Sequence, residues 1–199
     1  MGRSIWCALG NAKAPFPPPF RKVHAVEHLK SAKRSPATED AKTRETVARM
    51  LDEIETGREA TALAYCRSLD GWEGDVMVSA SQRRAAGAAI ADRLKDDIAF
   101  AHERVSAFAE AQKNSIHSFE VELSPGLFAG QKLIPMGTAG CYVPGGRYAH
   151  IASAIMSVAT AKVAGVPNVI ACSVPRAGEG IHPAILYAMD LSGADSILQ

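Results

Sequence analysis

Long apolar runs are missing from this 199-residue chain, and nothing in it approaches the roughly 20 consecutive apolar residues that cross a bilayer as a helix. The stretch from Ile5 to Leu9 is too short, and too interrupted by Cys7 and Gly10, to form a secretory signal core. An excess of either charge is missing as well. Lys and Arg total 22 against 21 Asp and Glu, a formal net charge of +1, so bulk electrostatics favour neither nucleic acid nor an anionic membrane surface. Cysteine is sparse. Cys7, Cys66, Cys141 and Cys172 are widely scattered, with no C-x-x-C pair and no histidines at zinc-finger spacing, which excludes a small structural zinc module. Reduced thiols in a cytoplasmic protein are the plain reading. What remains is a globular composition, 47% hydrophobic, long enough to bury a sizeable core.

Acids are absent before Glu27, whereas Arg3, Lys13, Arg21 and Lys22 precede it together with Pro15, Pro17, Pro18 and Pro19. Such a segment can be neither a helix nor a central strand. Residues 1–27 are read as a disordered or spurious extension, with a polyproline ligand or a basic transit peptide as alternatives.

From Thr38 the pattern turns helical. Val47, Met50, Leu51 and Ile54 share a face, and Gly57 is placed as a terminator. Ala62, Tyr65, Cys66 and Leu69 mark a second helix, closed by the Asp70-Gly71 turn before the short alternation Val76, Val78. Ser79 with Gln82 three residues later is a capping box. It opens one long helix carrying Ala86, Ile90, Leu94, Ala101, Val105 and Phe108 at helical spacing, with Arg83-Arg84 and Lys95-Asp96-Asp97 on its wet face. Residues 28–114 are thus a helical region.

After Asn114 the period falls to two. Phe119, Val121 and Leu123 alternate with Ser118, Glu120 and Glu122, a strand with one wet face, and Pro125-Gly126 turns the chain into a partner strand within Leu127 to Ile134. Residues 115–137 therefore form a short antiparallel element. The remainder alternates short apolar runs with helices: a strand at Ala139 to Val143, a helix at Ile151 to Ala164, a strand at Asn168 to Ser173, a helix at Ile181 to Leu191, and a strand beginning at Ser196. That β-α-β-α-β order over 138–199 predicts an α/β protein with a parallel, doubly wound sheet, incomplete because the third strand is a stub with an unpaired edge. A continuation of the chain, or completion by another polypeptide, is expected.

In doubly wound sheets ligands bind beyond the carboxyl ends of the strands, which directs attention to Gly140-Cys141-Tyr142-Val143-Pro144-Gly145-Gly146-Arg147. There a strand ends in a Pro-Gly-Gly turn leading into a helix. Backbone N–H groups freed by such a turn, with the positive end of the following helix, can hold an anion, and Tyr142 can pack its ring on a base or ribose. A purely structural turn remains the alternative, since this is not the G-x-G-x-x-G fingerprint.

These residues, followed by Ile155-Met156, Ala161-Lys162-Val163-Ala164-Gly165-Val166, Ala184-Ile185-Leu186-Tyr187-Ala188 and Ser192-Gly193-Ala194-Asp195, resemble the histidinol dehydrogenase family in order from about Leu29 to the last residue. The resemblance implies a Rossmann-like sheet in a zinc-containing homodimeric enzyme. Such enzymes use two NAD molecules in turn to oxidise a primary alcohol through an aldehyde to a carboxylate. It also implies that Tyr142, Gly145 and Gly146 contact NAD, so that 138–199 is part of an NAD-binding unit. Gly146-Arg147-Tyr148-Ala149-His150-Ile151-Ala152-Ser153-Ala154 and Pro125-Gly126-Leu127-Phe128-Ala129-Gly130-Gln131 resemble the family's sulfopropanediol dehydrogenases more than its histidine-biosynthetic members. Sulfopropanediol is the expected substrate and histidinol the alternative. The family's zinc-ligand and Glu-His catalytic segments have no counterpart here. No catalytic or metal residue is assigned, and the chain is expected to be an N-terminal part that is inactive alone. Glu27-His28 matches the Glu-His pair by letters only.

Other candidates have plainer readings. His150 and His182 stand at helix starts, where capping or surface roles compete with catalysis. Cys141 in a buried strand is inert packing unless it serves as a nucleophile. Lys162 is expected to reach solvent rather than an anionic substrate.

Overall fold

A computed structural model describes residues 37–145 and 148–199. The reading of 1–27 as an extension lies outside the described residues, as does Gly146. The chain divides into two compact units, Met1–Arg49 and Met50–Gln199. The described part of the first is the opening of helix α1, and the features below belong to the second.

Helix α1 (Ala37–Tyr65) is broken at Arg58, whose φ of 54° lies outside the helical region. The expected terminator, Gly57, stands immediately before the break, where a Cβ would run into the Thr61 side chain. The chain continues through a wider helical turn, Cys66–Asp70, that stops at Gly71 in the left-handed conformation.

The capping box forms as expected. Ser79 Oγ accepts from the Gln82 N–H at 3.3 Å while Gln82 Oε1 accepts from the Ser79 N–H at 2.7 Å. The helix it opens is not the single long one that the spacing predicts. It ends as α2 (Ala80–Ala89), and α3 (Asp92–Asn114) begins after Ile90 and Ala91, both in extended conformation. The reason lies in packing: α2 lies against helix α5 (Pro183–Leu191) and α3 against helix α4 (Ile151–Ala164). The break re-aims the chain between these two supports and turns Ile90 into the core. Arg83 likewise departs from the wet face expected of it. Its guanidinium reaches Asp190 at 3.2 Å and the carbonyls of Ala194 and Asp195, tying α2 to the end of α5.

Strands β1 (Phe119–Ser124) and β2 (Leu127–Gln131) pair antiparallel, with Phe119 opposite Gln131 and Gly126 at φ 80° in the turn. Every residue of both strands is exposed. The alternation predicts one covered face, and no described residue covers it.

The last third follows the expected order. Strands β3 (Thr138–Val143), β4 (Asn168–Ser173) and β5 (Ser196–Leu198) form a parallel sheet in the order β3-β4-β5, linked by α4 and α5. Because the order advances in one direction and crossovers are right-handed, both helices lie on one face. Burial agrees. Cys141, Val143, Val169, Ala171 and Ile197 point into the core, while Tyr142, Ile170, Cys172 and Leu198 alternate onto the open face. The outer edge of β5, expected to be unpaired, is in fact occupied by the alternating segment at Val76 and Val78. The Val78 N–H donates to the Ile197 carbonyl at 2.9 Å and the Gln199 N–H to the Val76 carbonyl at 2.8 Å, with Met77 opposite Leu198.

One core serves the sheet and both helical layers. Val143, Ile155, Val158, Val169, Ile185, Met189 and Ile197 are essentially fully buried, and each such side chain stabilises the fold by about 1.5–3 kcal/mol. The hairpin contributes no residue to this cluster.

Candidate functional site

The carboxyl ends of β3 and β4 meet beneath the turn that the sequence singles out. Tyr142 pairs across the sheet with Cys172, and its side chain is 61% exposed on the open face. Its neighbour Val143 is fully buried on the other face, so the strand pleat alone presents the ring outward. Pro144 and Gly145 then leave the strand. A Cβ at Gly145 would come within 2.7 Å of Ser173 Oγ and 2.9 Å of the Val174 carbonyl, so the turn is packed onto the end of β4 more closely than any side chain allows. Glycine is required here for close approach, the property that a nucleotide-holding turn also needs.

Ser173 closes β4 directly opposite Val143. It is 4% exposed, and among the described residues its hydroxyl has no hydrogen-bond partner. A buried, unpartnered hydroxyl is costly and uncommon. Sequence reasoning missed this residue. The available signal was a single small polar side chain ending the otherwise apolar run Val169-Ile170-Ala171-Cys172.

Both following helices begin at this end of the sheet. His150 is the N-cap residue of α4 but makes no side-chain capping bond and is exposed. His182 caps α5, its Nδ1 accepting from the Ala184 N–H at 3.1 Å ahead of Pro183. Burial holds the His182 imidazole below its ordinary range, with the Arg176 charge acting in the same direction and Glu179 opposing it. The structural reading of His182 therefore holds: a neutral ring whose Nδ1 lone pair is engaged by the backbone.

Burial also raises the Cys141 thiol, against the smaller effect of a hydrogen bond with Ser157. Burial raises Cys172 as well, and the proximity of Cys141 adds to it. Both thiols are held in the form that is a poor nucleophile. Lys162 is not in open solvent. Its ammonium bonds Asp195 at 3.0 Å, and Asp195 Oδ2 in turn accepts from the Val169 N–H at 2.7 Å at the start of β4. Those two hydrogen bonds, the backbone one first, hold the Asp195 carboxyl below its usual range. The pair fixes the other end of the sheet from Tyr142 and Gly145. Among the described residues no three His, Cys, Asp or Glu side chains converge, so these residues offer no ligand set for zinc.

The sequence pattern described as histidinol dehydrogenase matches residues 33–199. The chain belongs to the histidinol dehydrogenase family. It is 54% identical over 175 residues to a histidinol dehydrogenase homolog of Pelagibacter ubique, covering 87% of this chain and 41% of that protein. It is 48% identical over 173 residues to the sulfopropanediol 3-dehydrogenase of Ruegeria pomeroyi, covering 87% of this chain and 40% of that protein. Against the histidinol dehydrogenase of Methanosarcina barkeri the identity is 33% over 184 residues, 90% of this chain and 42% of the relative. The crystal structure of histidinol dehydrogenase from Elizabethkingia anophelis superposes with a TM-score of 0.70 at 24% identity, over 85% of this chain and 38% of that one, a likeness of fold. The chain thus spans about two fifths of the length of the curated relatives it matches.

Proposed function

We propose that this chain is the nucleotide-holding part of an NAD-dependent dehydrogenase that oxidises a primary alcohol through an aldehyde to a carboxylate. The observation that carries the reading is the crest of β3 and β4. There a glycine turn rests on an unpartnered buried hydroxyl, beside an exposed tyrosine. Those features fit a dinucleotide. Tyr142 offers a flat apolar face for a base or ribose, Gly145 lets main chain approach the pyrophosphate, a part the family resemblance extends to Gly146, and the Ser173 hydroxyl is a donor lacking an acceptor among the described residues. When bound, NAD supplies the acceptor for the hydride leaving the alcohol carbon. This chain's residues bind and orient it. No residue described here is assigned the proton transfer, and zinc belongs to the reading only through the family.

Sulfopropanediol is the substrate we favour. Identity to the sulfopropanediol 3-dehydrogenase is 48%, against 33% to the Methanosarcina barkeri histidinol dehydrogenase, over similar lengths. Histidinol is the second reading, and a chain without activity of its own is the third. A cytoplasmic homodimer completes the proposal. Among the described residues no helix is long and apolar enough to cross a membrane.

The test is calorimetric titration of the folded chain with NAD, followed by NADH absorbance with zinc and each alcohol offered separately. Binding that Tyr142→Ala weakens supports the nucleotide reading, and a folded chain that ignores NAD overturns it. NADH formation by these residues alone would place the base and metal ligands within them.

A further inference from the structure

We propose that the β1–β2 hairpin, with the apolar groove at its base, is the seat of that part of a histidinol dehydrogenase family chain which has no counterpart in these 199 residues. Two-stranded ribbons are marginal by themselves and need a third strand or an apolar support. Neither is present among the described residues. Phe119, Val121 and Leu127 share one face of the ribbon and are each about half exposed, the kind of contiguous apolar surface that marks an interface.

The groove continues this surface. Ile116, Leu133, Ile134, Pro135, Met136 and Val166 line a space of about 410 Å³ where the hairpin strands enter and leave. Ile134 is 78% exposed and Met136 62%. The base is nonetheless built to a fixed shape. Gln131 Nε2 donates to the His117 carbonyl at 2.7 Å, the Leu133 N–H to Ser118 Oγ at 3.0 Å, and Lys113 Nζ to the Val163 carbonyl at 2.8 Å. The groove lies beside the start of β3 and the end of α4, the opposite end of the sheet from Tyr142 and Gly145, and so is separate from the nucleotide crest.

Three considerations choose the occupant. The relatives carry about three fifths of their length beyond what this chain matches, ample polypeptide to add strands and cover a groove. The core does not need the hairpin, so its apolar alternation is not explained by this unit's own folding. Self-pairing of two copies along β1 would bring Glu120 and Glu122 of one against those of the other, and like charges across a strand pair are unfavourable.

The test is a chimera in which these 199 residues are followed by the portion of the Pelagibacter ubique relative beyond its matched region, compared with the 199-residue chain by hydrogen exchange. Amides of 119–131 should exchange at least about tenfold more slowly in the chimera, with β3 and β4 unchanged. Val121→Lys and Ile134→Asp should reopen those amides in the chimera while leaving the melting temperature of the 199-residue chain where it was. The same portion co-expressed as a separate polypeptide should co-purify with the chain and be lost with either variant. Equal exchange in the two proteins without co-purification overturns the proposal. So does protection that survives both variants, or protection in the 199-residue chain that rises with its own concentration, which would mark a second copy as the occupant.

Discussion

Replacing Gly145 by alanine tests whether the turn after β3 rests on the end of β4 as closely as the geometry requires. The new methyl group would meet Ser173 Oγ at 2.7 Å and the Val174 carbonyl at 2.9 Å. Neither contact is tolerable, and the second partner is main chain that cannot rotate away. Overpacking of this kind costs about 1–3 kcal/mol. For a chain of this size each kcal/mol lowers the melting temperature by about 2–4 °C, so a fall of about 2–12 °C is expected by circular dichroism. Ser173→Ala should behave oppositely. It removes an unpartnered buried hydroxyl, whose burial costs about 1–3 kcal/mol, so the melting temperature should hold or rise while NAD affinity falls. Combining the two relieves the Oγ contact but not the carbonyl one, so the double variant should recover only part of the loss, a coupling of about 0.5–3 kcal/mol. A Gly145→Ala protein that melts with the wild type would refute the packing. Clear destabilisation by Ser173→Ala would refute the claim that the hydroxyl is held in reserve for a ligand.

The other expectations are of the same kind. His182→Ala should cost about 1 kcal/mol at pH 8, the usual worth of an N-cap, read as a shift in urea midpoint. Because burial and Arg176 depress the folded-state pKa of His182, its contribution is fully present above the unfolded value of about 6.5 and is lost as pH falls through the lower folded value. The gap between wild type and variant should therefore narrow on acidification, and a gap constant from pH 8 to pH 5 would contradict the neutral cap. Asp195→Asn, which keeps an acceptor for the Val169 N–H, should be milder than Asp195→Ala, which removes it. Asp195 stability is likewise present above about pH 3.9 and lost below it, so acid melting curves of wild type and Asp195→Ala should converge. Ile155→Ala, at a fully buried site facing the sheet, should cost about 2–5 kcal/mol with an unchanged denaturant slope.

What could be read from the sequence was whatever is specified locally. The Ser79-Gln82 box, the helix from Ile151 to Ala164 and the strand at Asn168 to Ser173 each depend on neighbours close by in the chain, and each stands where the pattern predicts. The errors share the opposite property. The break at Ile90 and Ala91 has only Gly87, three residues earlier inside α2, to hint at it, and it answers to two helices about 65 to 95 residues further along the chain. Arg83 reads as a solvated charge until Asp190 and the carbonyls of Ala194 and Asp195 are brought to it across more than 100 residues. The third strand reads as an open stub until Val76 and Val78 return to pair with its outer edge. Ser173 obeys the same rule at the candidate site: nothing near it in sequence says that Gly145 will be pressed against it. The glycine turn is visible in one dimension and the hydroxyl beneath it only in three. The hairpin extends the logic one step further. Its apolar-polar alternation is as plain a strand signal as the continuous apolar run of β4, yet β4 finds its cover at α4 and the hairpin finds none among the described residues. Two strands of opposite burial differ in whether the covering element is in hand, which is why the apolar face of Phe119 and Val121 is a statement about another stretch of polypeptide.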